Sequence, residues 1–224
     1  MKTILITGSS SGIGRETAIL AAKKGNKVIA ISRNISELNN IKNIKPFSVD
    51  LSDKKSIKDF IKKIKKNSIT IDVLINNAGL LEKMPFSRSG FDIFEKVYRV
   101  NVFGLSEITR LILPFIKKNG HVVNISSIGG VQGSQKFSGL SAYSSSKAAV
   151  IGLTELLAEE FKDSGPAFNA LAIGSVQTEM LNKAFPGYKA NVSPGEFASY
   201  LLEFSLNGHN LYNGKVLSVS LSTP

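Results

Sequence analysis

The chain has 224 residues with no cysteine and two histidines, and 28 Lys and Arg against 17 Asp and Glu leave a formal net charge of +11. The missing cysteines exclude disulfides, thiolate catalysis and cysteine-ligated zinc, and with two histidines a metal site would depend on carboxylates. The surplus charge alone is compatible with a nucleic acid, an anionic ligand or a lysine-rich surface.

The length suits one large domain with its own core. No apolar stretch approaches the ~18 residues of a membrane span, and the first strand follows no basic-then-apolar leader. A soluble, unprocessed cytoplasmic protein without membrane partners is the expectation. In chain order, "KTILITG" (2–8) reads as a strand and "GIGRETAILAAKKG" (12–25) as a helix closed by cations and then glycine. "NKVIAIS" (26–32) and "KPFSVD" (45–50) are strands, and "SDKKSIKDFIKKIKKN" (52–67) is a helix. The strand "IDVLINN" (71–77) is followed by one long helix over 91–119 and the strand "GHVVNIS" (120–126). A helix over 141–165, the strand "PAFNALAI" (166–173), a helix over 193–206 and the strand "GKVLSVS" (214–220) complete the series. Apolar strands alternating with helical periods predict a doubly wound α/β fold whose parallel sheet is covered on both faces.

The stretch "ITGSSSGIG" (6–14) places a glycine-rich turn between the first strand and the first helix. Such a turn suits a phosphate, because glycine tolerates φ > 0 and helix N-terminal amides point at the anion. The spacing Gly8, Gly12, Gly14 is neither G-x-G-x-x-G nor a Walker loop, which disfavours a nucleoside triphosphate enzyme. Tyr143 and Lys147 lie four apart, on one helix face, so an ammonium nears a phenol and is expected to ease loss of its proton. Ser127 ends a strand at the edge where open α/β sheets bind ligands. Asn101 falls mid-helix, a poor place for Asn unless its side chain or a local irregularity has work there. At the end of the second strand, Ser32 and Arg33 stand where an NAD enzyme presents an acid to the ribose 2′-OH, which favours NADP.

"TGSSSGIG", "NNAG" (76–79), Asn101 in "RVNVFG", "NISS" (124–127) and "YSSSK" (143–147) together resemble the single-domain short-chain dehydrogenases/reductases, in the family's order and over nearly the whole chain. The resemblance implies a Rossmann-like sheet of about seven strands and hydride transfer between a nicotinamide dinucleotide and a carbonyl or secondary alcohol. Tyr143 would be the general acid or base and Lys147 its partner and ribose contact. Ser127, rather than Ser126, would hold the substrate oxygen, and Asn101 would hold a relay water. The cofactor would lie along Gly8, Ser10, Ser11, Gly12, Ile13 and Gly14, then Ser32, Arg33, Asp50, Leu51, Asn77, Ala78 and Gly79, and finally Gly174, Val176 and Thr178. Asp53 could supply a helix cap beside Asp50. Ile173 replaces the family's usual proline, and the 128–142 loop is longer than usual, which puts the local geometry in question.

A short lid is expected over about 179–193, with Lys83, Arg88, Lys136 and Lys183 on neighbouring loops. Apolar residues around more than one face of the 97–116 and 146–161 helical stretches predict a homodimer or homotetramer. His121 and His209 read as isolated, without a role. The competing reading is a catalytically silent dinucleotide-binding regulatory protein. A nucleic-acid binder is disfavoured, since the lysines are scattered and no aromatic platform accompanies them.

Overall fold

The computed structural model describes residues 1–221. A seven-stranded parallel sheet in the order β3-β2-β1-β4-β5-β6-β7 forms its centre, built from β1 (Thr3–Thr7), β2 (Lys27–Ser32), β3 (Ile44–Ser48), β4 (Ile71–Asn76), β5 (Ile116–Ser127), β6 (Ala167–Ile173) and β7 (Val216–Val219). All seven expected strands are present. Side chains alternate across the pleat: Ile4 and Ile6 enter one core cluster while Leu5 enters the other, as do Val73 and Ile75 against Leu74. Helices α1 (Gly12–Lys23) and α7 (Pro194–Asn207) pack together over the first face. Over the second lie α2 (Lys54–Lys66), α4 (Leu105–Ile112) and α5 (Ser141–Glu160), with α3 (Phe91–Tyr98) packed on α5. The short α6 (Glu179–Ala184) follows β6.

Local signals account for most helix ends. α1 stops at Lys23, and the chain reverses at Gly25 with φ +81°. Nothing lies near the Gly25 Cβ position, so backbone conformation alone calls for glycine there. Asp53 caps α2 by accepting from Lys55 N–H at 2.8 Å, the side-chain cap that short acids commonly supply. Ser193 and Glu196 form a reciprocal capping box at α7, with Pro194 in its first turn. Pro46 is accommodated because β3 is an edge strand.

The long helix expected over 91–119 is not one element. It divides into α3, a π-helical turn over Arg99–Gly104, α4 and a 3-10 turn over Leu113–Phe115, after which Ile116 already belongs to β5. Pro114 in that 3-10 turn ends the α-helical hydrogen bonding. The "IKKN" that follows has helical composition but bulges from the sheet: Ile71 pairs with Ile116 and Val73 with His121, leaving Lys117, Lys118 and Asn119 exposed.

Candidate active site

The candidate residues gather at the C-terminal ends of β1, β4, β5 and β6, where each strand hands over to a loop or helix. Ser9 is buried and its hydroxyl donates to Ile6 C=O, so the middle of the glycine turn is tied to the sheet. Ser10 is half-buried and Ser11 is exposed. Ser11 is the N-terminal flanking residue of α1 but its side chain caps nothing, so no side chain competes for the amides at that helix end.

The three glycines divide their work. A Cβ on Gly8 (φ +68°) would stand 2.7 Å from Ala78 Cα, and one on Gly14 would stand 2.3 Å from Gly8 C=O and 2.4 Å from Asn77 Nδ2. Those two are needed for close packing of the turn on the "NNAG" segment. Gly12 (φ +54°) would meet only Thr178, its Cγ2 at 3.2 Å, so it is the glycine between the turn and the segment after β6. Ile13 and Val176 bury their side chains in one core cluster. This cradle of φ > 0 turns and an uncapped helix end fits a dinucleotide phosphate.

Asn77 binds the turn from the other side. Its Nδ2 donates to Thr7 C=O and Gly8 C=O, both at 3.1 Å, and Thr7 Oγ1 accepts from the N–H groups of Asn77 and Ala78. A Cβ on Gly79 would lie 3.5 Å from Lys147 Nζ and 3.7 Å from Asn101 Oδ1, so this bare backbone separates and touches both. Asp50 Oδ1 accepts from Ser52 N–H and Ser52 Oγ, which fixes the carboxylate beyond β3, and Leu51 is buried against Gly104. Ser32 is buried, its hydroxyl donating to Asn34 C=O, whereas Arg33 is exposed. Gly174 owes its lack of a side chain to the segment after β7: a Cβ would fall 2.3 Å from Ser220 Oγ. Thr178 caps α6, its Oγ1 accepting from Leu181 N–H at 3.2 Å.

Asn101 sits in the π-helical turn, fully buried. Its Oδ1 accepts from Leu80 N–H at 2.7 Å, and its Nδ2 donates to Leu80 C=O and to Ser146 Oγ, both at 2.9 Å. The irregularity therefore exists and turns the amide toward the "NNAG" loop and α5.

On α5, Lys147 is 3% exposed and donates to Ile125 C=O at 2.8 Å. Nζ lies 5.7 Å from the centroid of the Tyr143 ring one turn earlier, so the two share a face. Ser126 is fully buried and donates to Lys147 C=O at 2.8 Å; the accessible serine of the pair is Ser127, whose Oγ also accepts from Gly129 N–H at 3.3 Å. Burial pushes the Tyr143 phenol up to about 12, opposed by a hydrogen bond with Ser127, and burial pulls the Lys147 ammonium down to about 8. The expectation that Lys147 makes this phenol more acidic is thus corrected for the protein alone. Tyr143 is half-buried, and Lys147 Nζ is turned to the Ile125 carbonyl rather than to the phenol, so burial sets the direction.

Residue-type reasoning missed the polar chain beneath the site. Asn76 Nδ2 donates to Thr109 Oγ1 at 2.9 Å and Asn124 Oδ1 at 2.8 Å, and Asn124 Nδ2 donates to Thr154 Oγ1 at 2.9 Å, so α4, β4, β5 and α5 are joined by side chains. An Asn near the C-terminal end of each of two neighbouring strands was the available signal. His121 and His209 are also not isolated: their ring centroids are 5.3 Å apart. His121 opens the pairing of β5 with β6, whereas Ser127 closes it at the end that carries the site. A cavity of about 330 Å³ lies behind the 179–193 segment, lined by Val176, Tyr188, Phe197, Tyr200 and Val219, and includes neither Ser127, Tyr143 nor Lys147.

A doubly wound sheet with a glycine cradle at β1 and a Tyr and Lys one turn apart beside β5 defines a nucleotide-binding oxidoreductase architecture. The model of the short chain dehydrogenase family matches residues 2–189, and the chain belongs to that family. It is 33% identical over 192 residues to the 3-oxoacyl-[acyl-carrier-protein] reductase FabG of Thermotoga maritima, covering 81% of this chain and 77% of the relative. It is 36% identical over 202 residues to the NADP-dependent 3-hydroxy acid dehydrogenase of Schizosaccharomyces pombe, covering 84% and 76%. Among solved structures, 4-hydroxyisoleucine dehydrogenase complexed with NADH superimposes with a TM-score of 0.88 at 26% identity, covering 98% of this chain and 97% of that one. The protein is an oxidoreductase of this family.

Proposed function

We propose that the protein reduces a small-molecule carbonyl with NADPH, Tyr143 acting as general acid. The observation that carries this reading is the grouping of Tyr143 beside Ser127 and one turn from Lys147. When bound, the reduced nicotinamide supplies the hydride. Tyr143 holds the proton destined for the carbonyl oxygen, and Ser127 Oγ donates a second hydrogen bond to that oxygen as negative charge develops. Lys147 lies close enough to stabilise the phenolate left behind, and its pull to about 8 keeps the ammonium ready to exchange a proton near neutrality. Asn101 positions the "NNAG" loop and Ser146, and so the floor beneath Lys147. The 179–193 segment, anchored through Thr178 beside Gly12, acts as the lid.

NADP over NAD is supported by Arg33, exposed at the end of β2 and free of any ion pair among the described residues, together with the absence of an acid at Ser32. The NADP-dependent relative supports the same choice, while the neighbour complexed with NADH makes Arg33 the residue to test. A homodimer or homotetramer through the faces of the π-helical turn before α4 and of α5 is supported by Phe103, 58% exposed, and Leu156, 70% exposed. A lone chain would leave both side chains in water. No helix among the described residues is long and apolar enough to cross a membrane; a cytoplasmic location is part of this proposal.

The deciding experiment follows NADPH oxidation over ketones, aldehydes, quinones and 3-oxoacyl thioesters, with Tyr143→Phe as the blank. Turnover lost in that variant is the expected result. Dinucleotide binding without turnover across the series would favour the silent regulatory reading instead. Light scattering at working concentration checks the assembly, and a monomer mass would remove it.

A further inference from the structure

Three loops that follow three different strands meet in one contact. Lys83 follows β4, Phe137 follows β5, and Phe185 ends α6 after β6. Lys83 Nζ stands 4.0 Å from the centroid of the Phe185 ring, and that ring meets Phe137 edge-on at 6.4 Å. The Lys83 stem lies on Gly139 (φ +81°), whose Cβ would fall 3.2 Å from Lys83 Cγ, and Met84 N–H donates to Gly139 C=O at 2.9 Å. Gly139 directly precedes Leu140, the flanking residue of the helix that carries Tyr143. The contact thus joins the lid to the element bearing the phenol.

Neighbouring charges are otherwise engaged. Glu82 pairs with Lys96, and Lys136 donates to Val131 C=O and Ser134 Oγ. Lys83 is exposed and among the described residues has no carboxylate partner; its one side-chain contact is the Phe185 ring, weaker than a charge-assisted hydrogen bond. The base of the lid is fixed separately. Gln177 N–H donates to Val192 C=O at 2.8 Å, its Oε1 accepts from Ala190 N–H at 2.6 Å, and its Nε2 donates to Asn182 Oδ1. One side chain therefore clamps both arms, in the segment where Ile173 replaces the expected proline, and leaves opening to the tip that carries Phe185.

From this arrangement we infer that Lys83 selects carbonyl substrates bearing a carboxylate, its ammonium exchanging the Phe185 ring for the carboxylate as substrate enters. A single ammonium over one ring matches a singly charged group, and the net charge of +11 draws anions toward the molecule. The inference rests on the assignment of Tyr143 and Lys147 above, and it names the substrate class of that same site.

The test compares 3-oxobutanoate with its methyl ester in NADPH-dependent reduction by wild type and Lys83→Gln. The expected result is an acid-over-ester ratio of kcat/KM that falls at least ten-fold in the variant, mainly through KM of the acid, with Lys83→Arg recovering most of it. A ratio unchanged by Lys83→Gln overturns the inference while leaving carbonyl reduction intact. A second arm measures 3-oxobutanoate binding by calorimetry with NADP present, in Tyr143→Phe and in Tyr143→Phe combined with Lys83→Gln. At least five-fold weaker binding in the double variant supports Lys83 even if no carbonyl compound is turned over, which would sink only the catalytic assignment. No binding, or equal binding in both, overturns the role of Lys83.

Discussion

Lys147 and His121 are both buried and both pulled by burial toward their neutral forms, to about 8 and about 4. Their partners differ. His121 is saturated: Asn169 Oδ1 accepts from Lys215 N–H, which orients its Nδ2 to donate to Tyr212 C=O and His121 Nε2, leaving His121 Nδ1 to donate to Ser205 C=O. Lys147 has a single acceptor, the Ile125 carbonyl, and its remaining protons face Gly79 and the site. A depressed pKa alone therefore does not mark function. What separates the two is unspent hydrogen-bonding capacity directed at a cleft.

Substitutions should split activity from stability along that line. Tyr143→Phe is expected to lower kcat about 10³-fold, within the range for losing a general acid, with little change in the denaturation midpoint. Lys147→Met should lower kcat about 10²-fold while shifting stability by no more than ~1 kcal/mol, since removing a buried charge offsets the lost bond to Ile125. Stopped-flow rates and denaturant melts on the same preparations check both; a Lys147→Met variant that is badly destabilised would erase the contrast with His121.

Asn169→Ala reverses the pattern. It leaves Lys215 N–H and Tyr212 C=O without their buried partner and should cost about 3 kcal/mol of stability, while kcat of the folded fraction stays near wild type.

Acid sharpens the same comparison. His121 is held below its ordinary value of 6.5, so the unfolded chain takes up the proton first. The stabilising effect is complete above about pH 6.5 and drains away as pH falls toward about 4. Protonation would also set a second N–H against the Asn169 amide, with His209, itself shifted down by burial and by Lys2, standing beside it. Lys215 and the phenols of Tyr200 and Tyr212 are the other titratable groups of this cluster, and none offers a carboxylate to receive the charge. A loss on the order of 3 kcal/mol by pH 4 follows from the size of the shift. Urea midpoints between pH 7 and about pH 4.5 should show the slope, and His121→Gln should flatten it.

The smallest effect is expected at the rim. Arg33→Ala should raise KM for NADPH about ten-fold and leave KM for NADH nearly unchanged, about 1.4 kcal/mol of discrimination. Equal use of both dinucleotides by wild type and variant would remove Arg33 from the account.

Much of this molecule was determined by sequence alone. Near-continuous apolar runs specify the strands, because each face of each strand must meet a helix, and the Lys-Lys-Gly ending of α1 specifies its stop by backbone conformation. The shared face of Tyr143 and Lys147 follows from their spacing, and the choice of Ser127 over Ser126 followed from the family pattern. Tertiary structure decided the rest. Helical composition ran on through "IKKN", but pairing of Ile116 with Ile71 took those residues into the sheet. The π-helical turn at Asn101 depends on Leu80 and Ser146, 21 and 45 residues away, and the meeting of His121 with His209 joins two distant segments. Local periodicity carries no information about such distant partners. Nor does it report burial at a site, and burial shifts the phenol of Tyr143 upward although a lysine lies one turn away.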